Sequence, residues 1–554
     1  MAEMLTAVAI MFIVAGPFLL VANRYGIPAA PLLIIAGIIG GAFIDEELVL
    51  ELAQFGIALL VFAFGASIQL SAIHSVLADS ELAATAQIFI VGTIGFGFAL
   101  LMGTSTEEAL VLGIAVALSS TIIGTALLQT EIHRNLVHGR LGESIQFVQD
   151  LVAIGILLLL GAGVFALDPI VLQLGYGLLF LLGAVLVNRY VFDPMARLAG
   201  DSTELLIIGV MSLLVVFIGA AAAVGLPIVI GAFAAGLAVR YDPSRYLGLF
   251  NGLESIKDFF VTIFFVTVGA LIVVPFVHLG VAASIEKLTL VAGLVFLTVI
   301  VKPAVTIAVL IYRGYEARTA TLTALSTDQV SEFSLIIAIE AFLIGLLTGN
   351  VLDAIILAAA ITMITSQLTQ QYGERIYRLL VTHHLIPKHH DKVDELSAVP
   401  ADIAGHVVIV GYGRKGRRMV DACNAIDQPY VVIEHDPALY PTIMNDCAAY
   451  VFGDAVEPYT WEKANVDEAR LIVSATSSTV VSYRLVELDF GTDLILRASD
   501  RQSALALLDA GATYVVVPDL LASEQLITYV TELLMGTLRR EELREAAWAE
   551  LQAG

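Results

Sequence analysis

A glutamine and an aspartate, Gln149-Asp150, stand side by side near the middle of a long apolar run. A charged side chain at a bilayer centre costs roughly 2.5–3.5 kcal/mol on insertion scales, so Asp150 needs a cation, a proton or a basic partner. A carboxylate is also a hard-oxygen ligand suited to a small alkali cation. Protonation removes that ligand charge, so proton and cation compete for one group. Such competition suffices for exchange across a membrane if the site must be loaded with one or the other before it reorients. The alternative is a structural ion pair, for which Lys302 is the available partner.

Two polar interruptions flank this pair in the chain. One is Ser119-Ser120-Thr121-Ile-Ile-Gly124-Thr125; the other is Ser326-Thr327-Asp328-Gln329-Val-Ser331-Glu332-Phe333. Within hydrocarbon, non-helical backbone survives only where it lines a cavity or packs in protein. Two broken helices would aim half-helix ends and free carbonyls at one midplane site. The plainer reading is that these hydroxyls back-bond to their own helices or hold helices together. The candidate cation and proton site is therefore Asp150, Gln149, Thr121, Ser120 and Asp328, with Lys302 and Glu332 as supporting intramembrane charges. Lys302 can pair with Asp150 or Asp328, or carry a proton itself, and Pro303 kinks the helix beside it. Glu332 reads as a structural carboxylate near the crossing, and Glu340 as a residue near the end of its span.

A second chemistry lies further on. Val407-Val-Ile-Val410 reads as a buried strand, followed by Gly411-Tyr-Gly413-Arg414-Lys-Gly416 opening a helix at about 416–426. Tyr430-Val-Val-Ile433 reads as the next strand, with Glu434 at its tip, 23 residues after Gly411. Glycines in this context allow a tight turn, a close backbone approach to phosphate and close helix packing. The helix N-terminus attracts the phosphate. An acid at that tip suits a free ribose hydroxyl and repels a 2′-phosphate, which favours NAD(H) or an adenine nucleotide such as AMP or ATP over NADP. Further strands are expected at 449–452, 471–474, 494–498 and 513–517. Loops after parallel strands converge on the ligand crevice. The candidate nucleotide residues are thus Gly411, Gly413, Arg414, Gly416, Glu434, His435, Asp436, Asp454, Ala455, Ala475 and Thr476. No substrate-side catalytic pair accompanies them, which favours a sensor over an oxidoreductase.

The elements that must position these groups follow from composition. Of 554 residues 58% are hydrophobic and 14% charged, against about 25% charged in an ordinary soluble domain. That excludes a wholly soluble enzyme and a disordered chain. Cys423 and Cys447 cannot form a disulfide framework, and no Cys/His cluster signals a structural metal. Residues 1–370 resolve into thirteen apolar stretches, each near the 20 or so residues that cross a bilayer. The first begins Met-Ala-Glu-Met and, without a basic leader, reads as a helix and not a cleaved signal. With the N-terminus outside, ten basic residues fall in or beside inner loops and Lys287 alone outside, as the positive-inside rule requires. Thirteen spans divide as six, one and six, so the linker helix would invert the second six into an inverted repeat.

The expected organisation is a transmembrane domain at 1–370, a cytoplasmic linker at 371–404, a Rossmann-like domain at 405–520 and a C-terminal helical segment at 521–554 that could dock a partner subunit. In the linker, His383, His384, His389 and His390 read as solvated, though a His pair can bind metal. The net charge of −24 makes nucleic acid a poor partner. An acidic, lysine-poor surface suits high salt, or is simply that of an acidic cytosolic domain.

Taken together these residues resemble the Kef-type potassium/proton antiporters of the monovalent cation:proton antiporter-2 family, with a C-terminal domain that regulates potassium conductance. The resemblance rests on Ser119-Ser120-Thr121, Gln149-Asp150, Gly231-Ala-Phe-Ala-Ala-Gly236, Phe264-Phe-Val-Thr-Val-Gly269, Gln329 with Glu332-Phe333, Gly411 to Gly416, Glu434-His-Asp436-Pro437 and Gly453-Asp-Ala455. It implies a homodimer in which each protomer has a dimerisation bundle and a core bundle that moves like an elevator. Asp150 would be the cation and proton site between crossed broken helices. The soluble domains would pair and bind AMP or NAD(H). Three departures stand out: Gln69 replaces a usual glutamate, Val330-Ser331 replaces a common Gly-Gly, and Asp328 is an added acid. Two other classes compete. A gated potassium channel lacks its TVGYG filter, since Thr267-Val-Gly-Ala270 is incomplete. A membrane-tethered oxidoreductase would have to turn NADH over.

Overall fold

The computed structural model describes residues 2–68, 73–133, 137–161, 167–200, 202–242, 245–386, 390–436, 439–456, 458–476, 478–488 and 490–552. Gln69, His389 and Pro437 lie outside them. The chain forms two units, one of residues 1–313 with 318–385, the other of 314–317 with 386–554.

The first unit is all helix, because a backbone in lipid must satisfy its own polar groups. Among the described residues, nine helices are long and apolar enough to cross a membrane, and Ala29–Phe43 and Ile228–Leu237 are shorter apolar ones. The expectation of thirteen crossings goes beyond these. Leu247–Ala270 is a further long helix, with Glu254, Lys257 and Asp258 in its first half. It contains Thr267, whose hydroxyl bonds its own helix at Ile263 O and Phe264 O. Its carbonyls are therefore helical, and Thr267-Val-Gly-Ala270 is not a filter loop.

Helix pairs in this unit meet backbone to backbone. A Cβ on Gly37 would sit 2.1 Å from Val266 O, and one on Gly269 2.0 Å from Ile34 O. The same reciprocity joins Glu46–Ser67 to Ile228–Leu237, where Gly65 faces Phe233 O and Gly236 faces Phe62 O. Small residues let membrane helices approach this closely. The glycine motifs of the sequence are thus packing surfaces that hold the scaffold around the site.

Three helices pass through a π turn: Ile73–Ala86 into Gly92–Leu101 at Gln87–Val91, Leu167–Leu186 into Phe192–Ala199 at Val187–Val191, and Val281–Phe296 into Lys302–Tyr312 at Leu297–Val301. Pro303 removes a backbone donor at the third, and the wider turn before it absorbs the misfit. Two helices are broken outright. Thr106–Ala117 stops at Leu118, and Thr121–His133 starts afresh. Ala317–Leu325 stops, and Glu332–Leu343 resumes after an extended Ser331. Both breaks fall on the polar interruptions read from the sequence.

The second unit is a doubly wound sheet. Strands β1 (Val407–Val410), β2 (Tyr430–Glu434), β3 (Tyr450–Phe452), β4 (Leu471–Ser474), β5 (Asp493–Arg497) and β6 (Tyr514–Val516) are all parallel, in the order β3-β2-β1-β4-β5-β6. Near-continuous Val and Ile runs suit strands covered by helices on both faces. The order reverses between β1 and β4, where such sheets open a ligand crevice.

The linker departs from a solvated tether. Ala398 forms an antiparallel bridge to Tyr450 on β3, with bonds of 2.9 and 2.8 Å. Asp394 takes a bond from Tyr459 Oη at 2.7 Å and pairs with Lys463 at 2.8 Å. Short polar residues hid this, since an edge strand needs only backbone partners. Pro518–Met535 and Arg540–Gln552 are the C-terminal helices, and the first buries none of its residues.

Candidate functional site

The two breaks cross and bond to each other. Ser119 Oγ donates to Thr327 O at 2.9 Å, and Gln329 Nε2 to Ser120 O at 3.1 Å. Gln149, from helix Val137–Leu160, closes the first break by accepting Ser119 N at 2.8 Å and donating to Ala117 O at 3.3 Å. Half-helix ends leave such groups without partners, so each must find a side chain.

Asp150, one residue on, is 1% exposed. Thr121 Oγ1, at the start of the second half-helix, donates to Asp150 Oδ2 at 2.5 Å. The other oxygen, Oδ1, is buried and has no hydrogen-bond partner among the described residues; the same holds for Asp328 Oδ1 and Glu332 Oε2. Glu332 Oε1 accepts Ile122 N at 3.2 Å, so a carboxylate from the second break caps the half-helix of the first. That is where a helix macrodipole favours negative charge. Asp328 is held by Thr369 Oγ1 at 2.6 Å.

Lys302 takes no ion pair among the described residues. Its ammonium donates to Leu118 O at 3.0 Å and to Gln329 O at 2.8 Å, one carbonyl from each break. The expected pairing with Asp150 or Asp328 gives way to bonds with the crossing backbone. Lys302 stands at the end of its π turn, and the corresponding π turn earlier in the chain begins at Gln87, which also enters the site. Gln87 accepts from Gln149 Nε2 and donates to Thr306 Oγ1 at 2.5 Å and Thr327 Oγ1 at 3.1 Å. Gln87 and Thr306 escaped sequence analysis. A lone amide in an apolar run was the available signal for Gln87. The Glu340 side chain makes no hydrogen bond or ion pair to the crossing among the described residues. No cluster of three or more His, Cys, Asp or Glu able to hold a metal occurs among the described residues.

In the second unit Gly411 has φ +93°, a left-handed turn that favours glycine. A Cβ on Gly416 would lie 1.9 Å from Gly411 O, so only glycine closes this loop. Gly413 begins helix Arg414–Ala425 with no side-chain cap, leaving its first N–H groups open, and Gly413, Arg414 and Lys415 are exposed. Burial, and after it the like charges of Arg497 and Arg414, lower the Lys415 pKa. The open helix end thus gathers positive charge, the environment a phosphate needs. Ala475 N bonds Val410 O at 2.9 Å and Thr476 lies against Gly411, so the tips of β4 and β1 meet at the crevice.

Glu434 turns inward. Its carboxylate accepts Tyr412 N at 2.7 Å, His435 N at 2.8 Å and Asp436 N at 3.0 Å. Oε1 takes the last two of these, so Oε2 is the oxygen with lone-pair capacity left for a ribose hydroxyl. Burial alone would raise its pKa, but His435 and the backbone donors hold it down at about 2. Burial would likewise lower His435, and Glu434, 3.4 Å away, outweighs it and lifts it to about 9. Asp454 Oδ1 accepts Val456 N at 2.9 Å, and Ala455 O takes Trp461 Nε1 at 2.8 Å. These two residues shape the β3 tip.

A raised folded-state pKa stabilises the fold fully below the unfolded value of 6.5, and that contribution is lost as pH rises through about 9. The full-length chain should therefore unfold its second unit at a higher temperature than His435→Gln below pH 6.5, with the gap closing by about pH 9. Scanning calorimetry across that window reads it. A gap that does not change with pH would show that the imidazole acts by packing alone.

A broken-helix membrane unit joined to a doubly wound α/β unit is the architecture of a transporter carrying a sensor-type domain. The chain belongs to the sodium/hydrogen exchanger family, whose transmembrane model matches residues 8–371. A TrkA-N domain matches residues 407–518. The putative K(+) efflux antiporter KefB of Alkalimonas amylolytica is 25% identical over 546 residues, covering 94% of this chain and 80% of that protein. The putative cation/proton antiporter YbaL of Escherichia coli K12 is 26% identical over 532 residues, covering 90% and 92%. Among solved structures, the sodium proton antiporter MjNhaP1 from Methanocaldococcus jannaschii shares the membrane fold. It aligns at 17% identity with a TM-score of 0.53, over 66% of this chain and 99% of that one.

Proposed function

We propose that this chain is a monovalent cation/proton antiporter, with potassium preferred to sodium, regulated by a nucleotide on its TrkA-N domain. One observation carries the reading: a sealed carboxylate, Asp150, held by Thr121 on one oxygen and left without a partner on the other, at the crossing of two broken helices. A proton on Asp150 and an alkali cation beside it are alternative ways to neutralise that group. Thr121, Ser120, Gln149 and Asp328 supply further oxygens, while Lys302 and Glu332 fix the backbone. Thirteen crossings, two inverted sets of six joined by one linking helix, fit the matching π turns at Gln87–Val91 and Leu297–Val301 and the matching breaks. Exchange then proceeds by elevator-type movement of the core within a homodimer, with the N-terminus outside and the TrkA-N domain in the cytoplasm.

For the ligand, the open helix end beside Arg414 and Lys415 suits phosphate, and Glu434 suits a free ribose. AMP, ATP and NAD(H) all meet those demands. The test is proton flux in proteoliposomes holding the full chain, with potassium or sodium varied and each nucleotide added on the TrkA-N side. Proton movement should follow the cation gradient and respond to one nucleotide. Gly416→Ala, which forces a Cβ onto Gly411 O, should erase the nucleotide response and leave exchange intact. Flux that ignores both cations would sink the antiporter reading. NADH consumption by the purified protein would instead establish an oxidoreductase.

A further inference from the structure

The route by which the linker could reach the ion site is built into the first unit. Helix Gly349–Gln371 ends beside the second break. Its Thr362 accepts Val330 N at 3.1 Å, its Ser366 donates to Gln329 Oε1 at 3.1 Å, and its Thr369 holds Asp328. The chain then bends at Tyr372, which both ends this helix and begins Gly373–Thr382. The Arg375 guanidinium lies over the Tyr372 ring, 5.3 Å from its centre, and Arg375 N and Ile376 N both bond Tyr372 O at 2.9 Å. The bend is therefore a braced corner and not a loose hinge.

Past the corner, the linker helix is fastened to Ala317–Leu325, the half-helix whose C-terminal end runs into Ser326-Thr327-Asp328. Glu374 forms an ion pair with Arg318, whose side chain is 9% exposed. Beside it, a Cβ on Gly373 would sit 2.9 Å from Leu322 Cδ2, so the two helices touch with no room for a side chain. The pair is better shielded than a surface salt bridge on the Arg318 side, and it is locked to a close apolar contact. The half-helix is nine residues long and begins at the pair, so it carries a displacement about 13 Å along its axis to the crossing.

The geometry points to Arg318–Glu374, with Gly373 against Leu322, as the clasp through which the TrkA-N domain moves the second broken helix. This rests on the regulated-antiporter reading and names how regulation reaches the site. The linker helix leads onward from residue 382 to the second unit, and pulling on it shifts Ala317–Leu325 against Glu332–Leu343, which the extended Ser331 separates. Asp328 and Gln329, tied at once to Thr369 and Ser366, respond with it.

The full-length protein in proteoliposomes tests this. Glu374→Gln should keep basal cation-coupled proton flux at the wild-type level and lose the response to AMP, ATP, NAD+ or NADH, whichever moves the wild type. The swap Arg318→Glu with Glu374→Arg should restore it. Hydrogen exchange of amides 317–331 should change on nucleotide addition in the wild type and stay fixed in Glu374→Gln, a readout that needs no flux. A Glu374→Gln response equal to wild type, in flux or in exchange, overturns the clasp alone. Wild-type flux indifferent to every nucleotide removes the regulatory reading and the clasp with it.

Discussion

Asp150→Asn should reduce cation-coupled proton movement to that of empty liposomes. The substitution keeps the size of the side chain, and its amide oxygen can still accept from Thr121 Oγ1. It removes only the ability to carry a charge and to exchange a proton. Asp150 is 1% exposed and one of its oxygens has no partner among the described residues, which is true of Asp328 and Glu332 as well. What sets Asp150 apart is its hold on Thr121 at the start of the second half-helix, whereas Asp328 is tied to Thr369 and Glu332 caps the first break through Ile122 N. Expression, oligomeric state and thermal midpoint should match the wild type, which separates lost exchange from lost folding. Coupled flux persisting in Asp150→Asn would move the exchange group elsewhere, with Asp328 the first place to look.

Lys302→Met should lower the unfolding free energy by about 3 kcal/mol, the effect of leaving two buried carbonyls without a donor. Methionine fills most of the space but donates no hydrogen bond. Leu118 O and Gln329 O would each lose a donor that no water replaces, at about 1–3 kcal/mol per group. Leu118 is also the C-terminal cap of its half-helix, where a positive charge is favourable. The expected loss is in stability and in the geometry of the crossing. Denaturant titration of the purified protein measures it, with Asp150→Asn as a comparison. An unchanged unfolding free energy would show that the two breaks are held by Ser119, Gln149 and Gln329 alone.

Much of this was legible in the sequence because it depends on residue type and spacing. Gln149-Asp150 in an apolar run, two polar breaks and a glycine loop between two strands all appear in the fold. Partners were less legible. Lys302 carries a charge, and a charge suggests a carboxylate, yet its ammonium reaches two carbonyls freed by the helix breaks. Spacing along a chain does not say which backbone groups a break will release. Gln87 was missed for a related reason: a π turn changes the direction its amide faces, and no residue type marks that turn. The position of Glu434 at a strand tip is legible, but not the three backbone donors that fix its carboxylate.

The short bridge from Ala398 to Tyr450 has one more effect. Sheets left bare on both flanks can stack end to end without limit, which is how strands feed fibrils. Here the polypeptide shields the β3 side as it arrives, and β6 is the other edge, with no further strand on it among the described residues. Accidental joining through that remaining side stops at two molecules, a safeguard against runaway polymerisation.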